Sequence, residues 1–281
     1  MTGLGGTPAR QSTGVGTSAE SGLSRRCELL RSLHRPGTPL VLPNAWDVAT
    51  ARAVAAAGFP VVATTSGGVA ATLGYDDHEG APAQEMLAAA ARISRSVEVP
   101  VTVDAEAGYG MGPTELVAAL RDAGAAGCNL EDTDHASGTL RDPAQHADWL
   151  RGVRQAAARQ GYGLVLNARI DVFLPEVLSG SGRPQAALVP EALRRAHAYF
   201  EAGVDCVFPI ALWERAPLAD FTSRAPGPVN ILKTPRAPSL AELAGLGVAR
   251  ISYGSLLHRQ AMQQFTGVLT SLGADPATGE R

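Results

Sequence analysis

Apolar residues in this chain gather into short unbroken runs, several of which follow an Ala-rich helical stretch that ends on glycine. The phrase recurs as AVAAAGFPVVATT, LRDAGAAGCNLED, YFEAGVDCVFPIA and LAGLGVARISYG. Gly58, Gly124, Gly203 and Gly247 fall where a helix closes on a left-handed residue before the chain reverses into a strand. The strand runs are apolar at successive positions, not alternate ones, which predicts a parallel sheet covered on both faces. Eight runs can be counted, at 39–42, 60–63, 99–103, 127–130, 164–168, 206–210, 229–232 and 250–252, most of them separated by helical segments. An open doubly wound sheet rarely needs eight such units and normally carries a Gly-rich phosphate turn after its first strand. Here the first strand meets Pro43-Asn44-Ala45-Trp46-Asp47, with no glycine. The pattern therefore predicts an α/β fold, a (β/α)8 TIM barrel.

The chain has 281 residues, 45% hydrophobic and 18% charged, ample apolar material for a core. Residues 1–24 lack a hydrophobic period and are read as a disordered leader, and 273–281 as a flexible tail. That leaves 25–272 as the barrel domain, and its length suits the roughly 250 residues typical of such barrels. A net charge of −3 and scattered arginines give no basic face, which argues against nucleic acid or a membrane surface as partner. No apolar run approaches the ~20 residues of a membrane span, and no secretory signal is seen, so a soluble, cytoplasmic protein is expected. Cys27, Cys128 and Cys206 lack metal-ligand spacing and are read as buried small hydrophobes in a reducing compartment.

In a barrel the chemistry sits beyond the C-terminal ends of the strands. There the sequence offers Asn44, Trp46 and Asp47 after the first run, and Thr64-Thr65-Ser66-Gly67-Gly68 after the second. Asp104 and Glu106 follow the third, Glu131 and Asp132 the fourth, Arg169 and Asp171 the fifth. The seventh and eighth end near Lys233 and Tyr253. Carboxylates crowded on neighbouring staves would take up protons unless a cation stood among them. An oxygen-only set at Asp104, Glu106 and Glu131 favours a hard ion, Mg2+ or Mn2+, over zinc. Asp47, Asp132 and Asp171 would serve equally well as caps of the following helices. The glycines of Ser66-Gly67-Gly68 would let backbone N–H groups approach an anionic oxygen. Arg169, rising from a buried strand, needs an anion, either a substrate carboxylate or an acid beside it, and the substrate is the favoured partner. His78, His135 and His146 lie in polar, loop-like stretches and are read as facing solvent.

Four stretches, TTSGGVAATLGYDDHE, VTVDAEAGYG, GCNLEDT and LNARIDVF, resemble the isocitrate lyase/phosphoenolpyruvate mutase superfamily. The likeness runs from about residue 42 to 257, and D-A-[DE]-x-G-Y-G with the later L-E-D is a specific pair. It implies a (β/α)8 barrel whose C-terminal helix is swapped between subunits of a homotetramer, a dimer of dimers. It implies Mg2+ bound directly by Asp104 and, through waters, by Asp77, Glu106 and Glu131. It also implies an α-keto acid or enolate whose oxygens meet the N–H groups around Ser66, Gly67 and Gly68, with Arg169 on a carboxylate. Trp46, Asp47 and Asn230 are read as further substrate contacts, with the loop 133–141 and Trp213 shaping specificity.

Members of that superfamily differ chiefly in the loop after L-E-D. Methylisocitrate and isocitrate lyases carry K-[KR]-C-G-H there, and phosphoenolpyruvate mutases E-D-K-x-F-P-K-x-N. This chain reads LEDTDHASGTLRDPAQHADWL, with neither the cysteine nor the lysine/asparagine pair, and resembles the short-loop branch that contains oxaloacetate decarboxylase. The expected function is a Mg2+-dependent carbon–carbon lyase or decarboxylase acting on a small 2-oxo or 2-hydroxy dicarboxylate through a pyruvate-type enolate. Arg169 and Glu131 are its expected catalytic residues, with Asp47, His135 and Tyr253 as other candidates for a general base. Phosphonopyruvate hydrolysis or mutation is the enzymatic alternative, and a silent keto-acid-binding paralogue the non-enzymatic one.

Overall fold

Strands form where the apolar runs lie, and prolines set several of their first residues. The computed structural model describes residues 16–180 and 182–273. Its strands are β1 (Leu40–Leu42), β2 (Asn44–Ala45), β3 (Val62–Thr64), β4 (Val101–Asp104), β5 (Gly127–Glu131), β6 (Thr133–Asp134), β7 (Thr139–Leu140), β8 (Val165–Ile170), β9 (Cys206–Pro209), β10 (Asn230–Leu232) and β11 (Arg250–Ser252). Runs expected to open on or beside a proline begin a residue or two later, because proline has no N–H for the ladder. Pro100 and Pro228 still contribute carbonyls, which accept from the N–H groups of Val62 and Val207 at 3.0 Å each. The four glycines of the repeated phrase all take positive φ, between 73° and 95°.

β1 and β2 are two halves of one stave, broken at Pro43. β1 pairs with β11, setting Leu42 opposite Ser252, and β2 pairs with β3, setting Asn44 opposite Ala63. From β2 the order continues through β3, β4, β5 and β8 to β9, and from β1 it passes through β11 to β10. A parallel bridge between Val207 and Val229 joins β9 to β10, so eight parallel staves make a ring. β6 and β7 stand apart as an antiparallel hairpin in the loop after β5.

The uniformly apolar reading of the strands fails inside this ring. Asn167 of β8 and Arg250 of β11 both donate to Asn129 of β5 across it. Side chains alternate along a strand, so the neighbours Cys128, Leu130, Leu166 and Ala168 point outward, where they are buried in the main hydrophobic cluster. All three cysteines are free and buried, as expected.

The helix Gly16–Ser32 begins inside the stretch read as a loose leader, so that reading is corrected for residues 16–24. Leu23, Cys27 and Leu30 recur at helical spacing and pack on the core, Cys27 and Leu30 with no exposed surface. A Cβ at Gly127 would stand 2.7 Å from Leu30 Cδ2, so glycine there lets the helix close against the ring. Residues 1–15 and 274–281, the rest of the expected leader and tail, lie outside the described residues. At the other end the helix Leu256–Gly273 has no buried residue, and Met262, Phe265, Val268 and Leu269 are each about half exposed. No helix among the described residues is long and apolar enough to cross a membrane.

Candidate active site

Asp104 closes β4, and its position is held from both sides. Its N–H donates to Thr64 Oγ1 at 2.8 Å, and its Oδ2 accepts from the Ser66 N–H at 3.0 Å. Ser66 opens the helix Ser66–Leu73, whose N-terminal amides favour an anion. Beside them lies a cavity of about 230 Å3, lined by Ser66, Asp77, Asp104, Asn129 and Arg169 and faced by Leu174, Phe208 and Leu232. A Cβ at Gly67 would meet Asp77 Oδ2 at 2.6 Å and Ser255 Oγ at 2.8 Å, so only glycine leaves room for that carboxylate. Gly68 serves packing instead, since its Cβ would meet Thr65 Cγ2 at 2.7 Å and Trp46 Cβ at 3.0 Å.

Two turns bring the remaining acids in. Glu106 Oε1 accepts from the Glu79 N–H at 2.6 Å, and Glu79 Oε1 accepts from the Tyr109 N–H at 2.6 Å. His78, Glu79, Glu106 and Tyr109 all sit at positive φ, an uncommon and costly state for residues other than glycine. Burial pushes the Glu106 carboxyl up to about 7, and the negative charges of Asp104, Asp77 and Glu131 push the same way. Glu131, at the end of β5, is 1% exposed. Its Oε1 meets His135 Nε2 at 2.5 Å, and its Oε2 pairs with Arg169. Burial raises its carboxyl to about 7, with Arg169 and His135 opposing the rise.

Arg169 departs from its favoured reading. Its partners are Glu131 and Asp171, the latter bidentate with Nε to Oδ1 at 2.6 Å and Nη2 to Oδ2 at 2.9 Å. Register explains this, because Arg169 sits opposite Glu131 on neighbouring strands and Asp171 follows on the same strand's end. Its guanidinium still borders the cavity.

Other expected contacts are not brought together. Asp47 caps the helix Val48–Ala56, its Oδ1 accepting from the Thr50 N–H at 2.7 Å in a reciprocal capping box. Trp46 lies edge-on to His258 and lines a separate groove between helices. Asn230 is fully buried, donating to Ser252 Oγ at 3.2 Å, and does not border the cavity. Asp132 is neither cap nor ligand: it accepts from the Asp171 N–H, Arg195 and Tyr199 deep in the wall. His78 faces solvent as expected, but His135 is held on Glu131 and His146 is buried against Trp149 and Tyr199. Asn129 was missed by sequence reasoning. A lone polar residue at an inward position of GCNLE was the one available signal.

The donor chemistry fits a hard divalent ion. Asp77 and Asp104 border the cavity, Glu106 and Glu131 stand behind it, and the Glu106 carboxyl is raised partly by repulsion from the other three.

The sequence profile of the phosphoenolpyruvate phosphomutase family matches residues 30–272. An uncharacterised protein of Mycobacterium tuberculosis is 35% identical over 224 residues, 80% of this chain and 81% of its own. A Corynebacterium glutamicum protein named a probable 2-methylisocitrate lyase is 31% identical over 261 residues, 89% of this chain and 81% of its own. A crystal structure from Burkholderia cenocepacia, provisionally described as a phosphonomutase, superposes with a TM-score of 0.82 at 41% identity, covering 88% of this chain and 99% of that one.

Proposed function

The chain belongs to the phosphoenolpyruvate mutase/isocitrate lyase superfamily, and from that footing we propose that it is a Mg2+-dependent carbon–carbon lyase or decarboxylase. Its substrate would be a small 2-oxo or 2-hydroxy dicarboxylate, cleaved to a pyruvate-type enolate. The observation that carries this reading is the cavity of about 230 Å3 in which Asp77, Asp104, the Ser66 amide and Arg169 face one another. Asp104, with Asp77, Glu106 and Glu131, would hold Mg2+ or Mn2+. When bound, the ion supplies positive charge where negative charge develops as the carbon bond breaks.

The protein's own groups would do the rest. The Ser66 N–H, now on Asp104, would stabilise a developing oxyanion, such a donor being worth about 3 kcal/mol. The Arg169 guanidinium, shared with Glu131 and Asp171, would add less. Asp171 keeps Arg169 in place through two hydrogen bonds. Loss of CO2 from a β-keto acid needs no base. For a retro-aldol cleavage, the Glu131–His135 contact at 2.5 Å could take the hydroxyl proton. No thiol competes for that role, because burial lifts Cys27 to about 11 and Cys128 and Cys206 to about 12. Carbon–phosphorus chemistry is less well served. Of the cations on the cavity wall, Arg169 is already neutralised by two acids, which leaves Arg259 for a phosphonate dianion.

A screen of four- to six-carbon oxo and hydroxy diacids with Mg2+, following pyruvate and CO2, tests the reading, with phosphate release from phosphonopyruvate run in parallel. Pyruvate or CO2 from at least one diacid is expected. Phosphate release alone, or calorimetric oxalate binding with no turnover of any substrate, would overturn it.

A further inference from the structure

The tightest group of ligating side chains stands at the edge of the acid set and shares Glu131 with it. His78, Glu131 and His135 each offer one donor atom, and among the described residues these atoms lie within 4.8 Å of one another. The two imidazole rings have centroids 5.3 Å apart, and His135 Nε2 already touches Glu131 Oε1 at 2.5 Å. Three separate elements bring them together. Glu131 ends β5, His135 rides on the β6–β7 hairpin, and His78 sits on the turn that the Glu79–Glu106 and Glu79–Tyr109 bonds lock at positive φ.

Two imidazoles and one carboxylate do not suit Mg2+, which prefers oxygen and keeps its waters. They suit a borderline ion, and three protein ligands with an open fourth position is a common zinc arrangement. We propose that His78, His135 and Glu131 form a binding site for a borderline divalent transition-metal ion such as Zn2+ or Co2+, one that shares Glu131 with the oxygen-only set and takes its other two ligands from histidines outside it. With ligand bonds of about 2.0–2.1 Å, donor atoms on a tetrahedral ion stand roughly 3.3 Å apart. Glu131 and His135 must therefore part slightly and His78 must close in. Both movements are open, since His78 is exposed and His135 is carried on a short hairpin.

The position gives the ion a consequence. His78, Arg169 and Leu174 border both the acid-lined cavity and a second cavity of about 320 Å3 under the hairpin. An ion held there occupies the passage between them and draws Glu131 away from Arg169. Zn2+ thus inhibits turnover even at saturating Mg2+.

Untagged full-length protein, stripped of metal and then saturated with Mg2+, is titrated with Co2+ while its visible absorption is read. One Co2+ per chain with the intense band of a four- or five-coordinate site is expected, displaced by Zn2+. Affinity should fall at least about tenfold in His78→Asn and in His135→Asn, and persist in Asp104→Asn. Circular dichroism checks that each variant is folded. The site is refuted by the absence of that band, by unchanged affinity in either histidine variant, or by loss of the ion in Asp104→Asn. None of these readouts depends on which substrate the enzyme cleaves.

Discussion

Arg250 reaches across the barrel interior to Asn129, its Nη2 donating to Asn129 Oδ1 at 3.0 Å, and bonds to no carboxylate among the described residues. Asn167 Nδ2 donates to the same oxygen at 2.9 Å. With Oδ1 so engaged, the amide nitrogen of Asn129 is turned toward Asp104 Oδ1, 3.5 Å away. A buried cation and the key carboxylate of the cavity are thus linked through one amide. Asn129→Leu would strand two buried donors. It should cost about 1–3 kcal/mol in urea unfolding, and calorimetry should show weaker Mg2+ binding.

Asp104 is the residue on which the metal assignment turns. Asp104→Ala should abolish Mg2+-dependent turnover while leaving the circular dichroism spectrum unchanged, and excess chelator should silence the native protein reversibly. Full activity of the variant with chelator present would refute the assignment.

The wall behind the site is held by a buried ion pair. Asp132 has no exposed surface and accepts from Arg195 Nη1 at 2.9 Å and from Tyr199 O–H at 2.7 Å. Arg195→Leu leaves that acid uncompensated and should cost about 3–5 kcal/mol, whereas Tyr199→Phe should cost about 1–3 kcal/mol. Chemical denaturation of the two variants measures both. Equal small losses would show that Asp132 is relieved by water.

Two buried histidines should each lose stabilising effect in acid. His146 is 1% exposed with neither ring nitrogen partnered, and burial, then Arg141 and Arg195, push it down to about 3. Burial and Arg250 likewise push His34 down to about 4. In the unfolded chain both return to about 6.5. At these two sites the unfolded state therefore binds more protons below that pH, and the histidines' contribution to stability falls as pH drops from 6.5 toward 4. The raised Glu106 and Glu131 carboxyls act in the opposite direction. His146→Leu should make the loss between pH 7 and 5 smaller by about 2 kcal/mol, read from urea unfolding at each pH.

The last helix bears on assembly. Met262, Phe265, Val268 and Leu269 recur at helical spacing and are each about half exposed, a stripe suited to a second copy of the chain. Phe265→Glu should shift sedimentation velocity profiles from oligomer toward monomer. An unchanged profile would exclude the stripe as the contact.

How much of this was legible beforehand differed by level. The ring was, because each helix–glycine–strand phrase is local, and Gly124 or Gly203 marks its turn without help from the rest of the fold. Asp104, Ser66 and Asp77, which border the cavity, could be picked out because they stand at strand ends or in a quoted motif. Asn129 and Arg250 were not, because inward and outward positions of a buried strand look alike until the ring closes. The sequence leaves the partner of Arg169 between a substrate and a neighbouring acid, with the substrate favoured, because the pairing with Glu131 depends on register. His146 was misplaced although Leu150 and Val153 follow it at helical spacing, a sign that it shares their buried face. The capping box of Asp47 was visible as D-x-x-T and was one of two readings left open.

The same C-terminal helix that displays Phe265 also brings Arg259 to the cavity rim, with Ser255 just before its first turn. Whatever steadies the far half of that rod also steadies the near half. On the proposed reading of the stripe as a contact between copies, catalyst abundance becomes a control in its own right: on dilution each chain should turn over more slowly, and rates would climb faster than the amount of protein added.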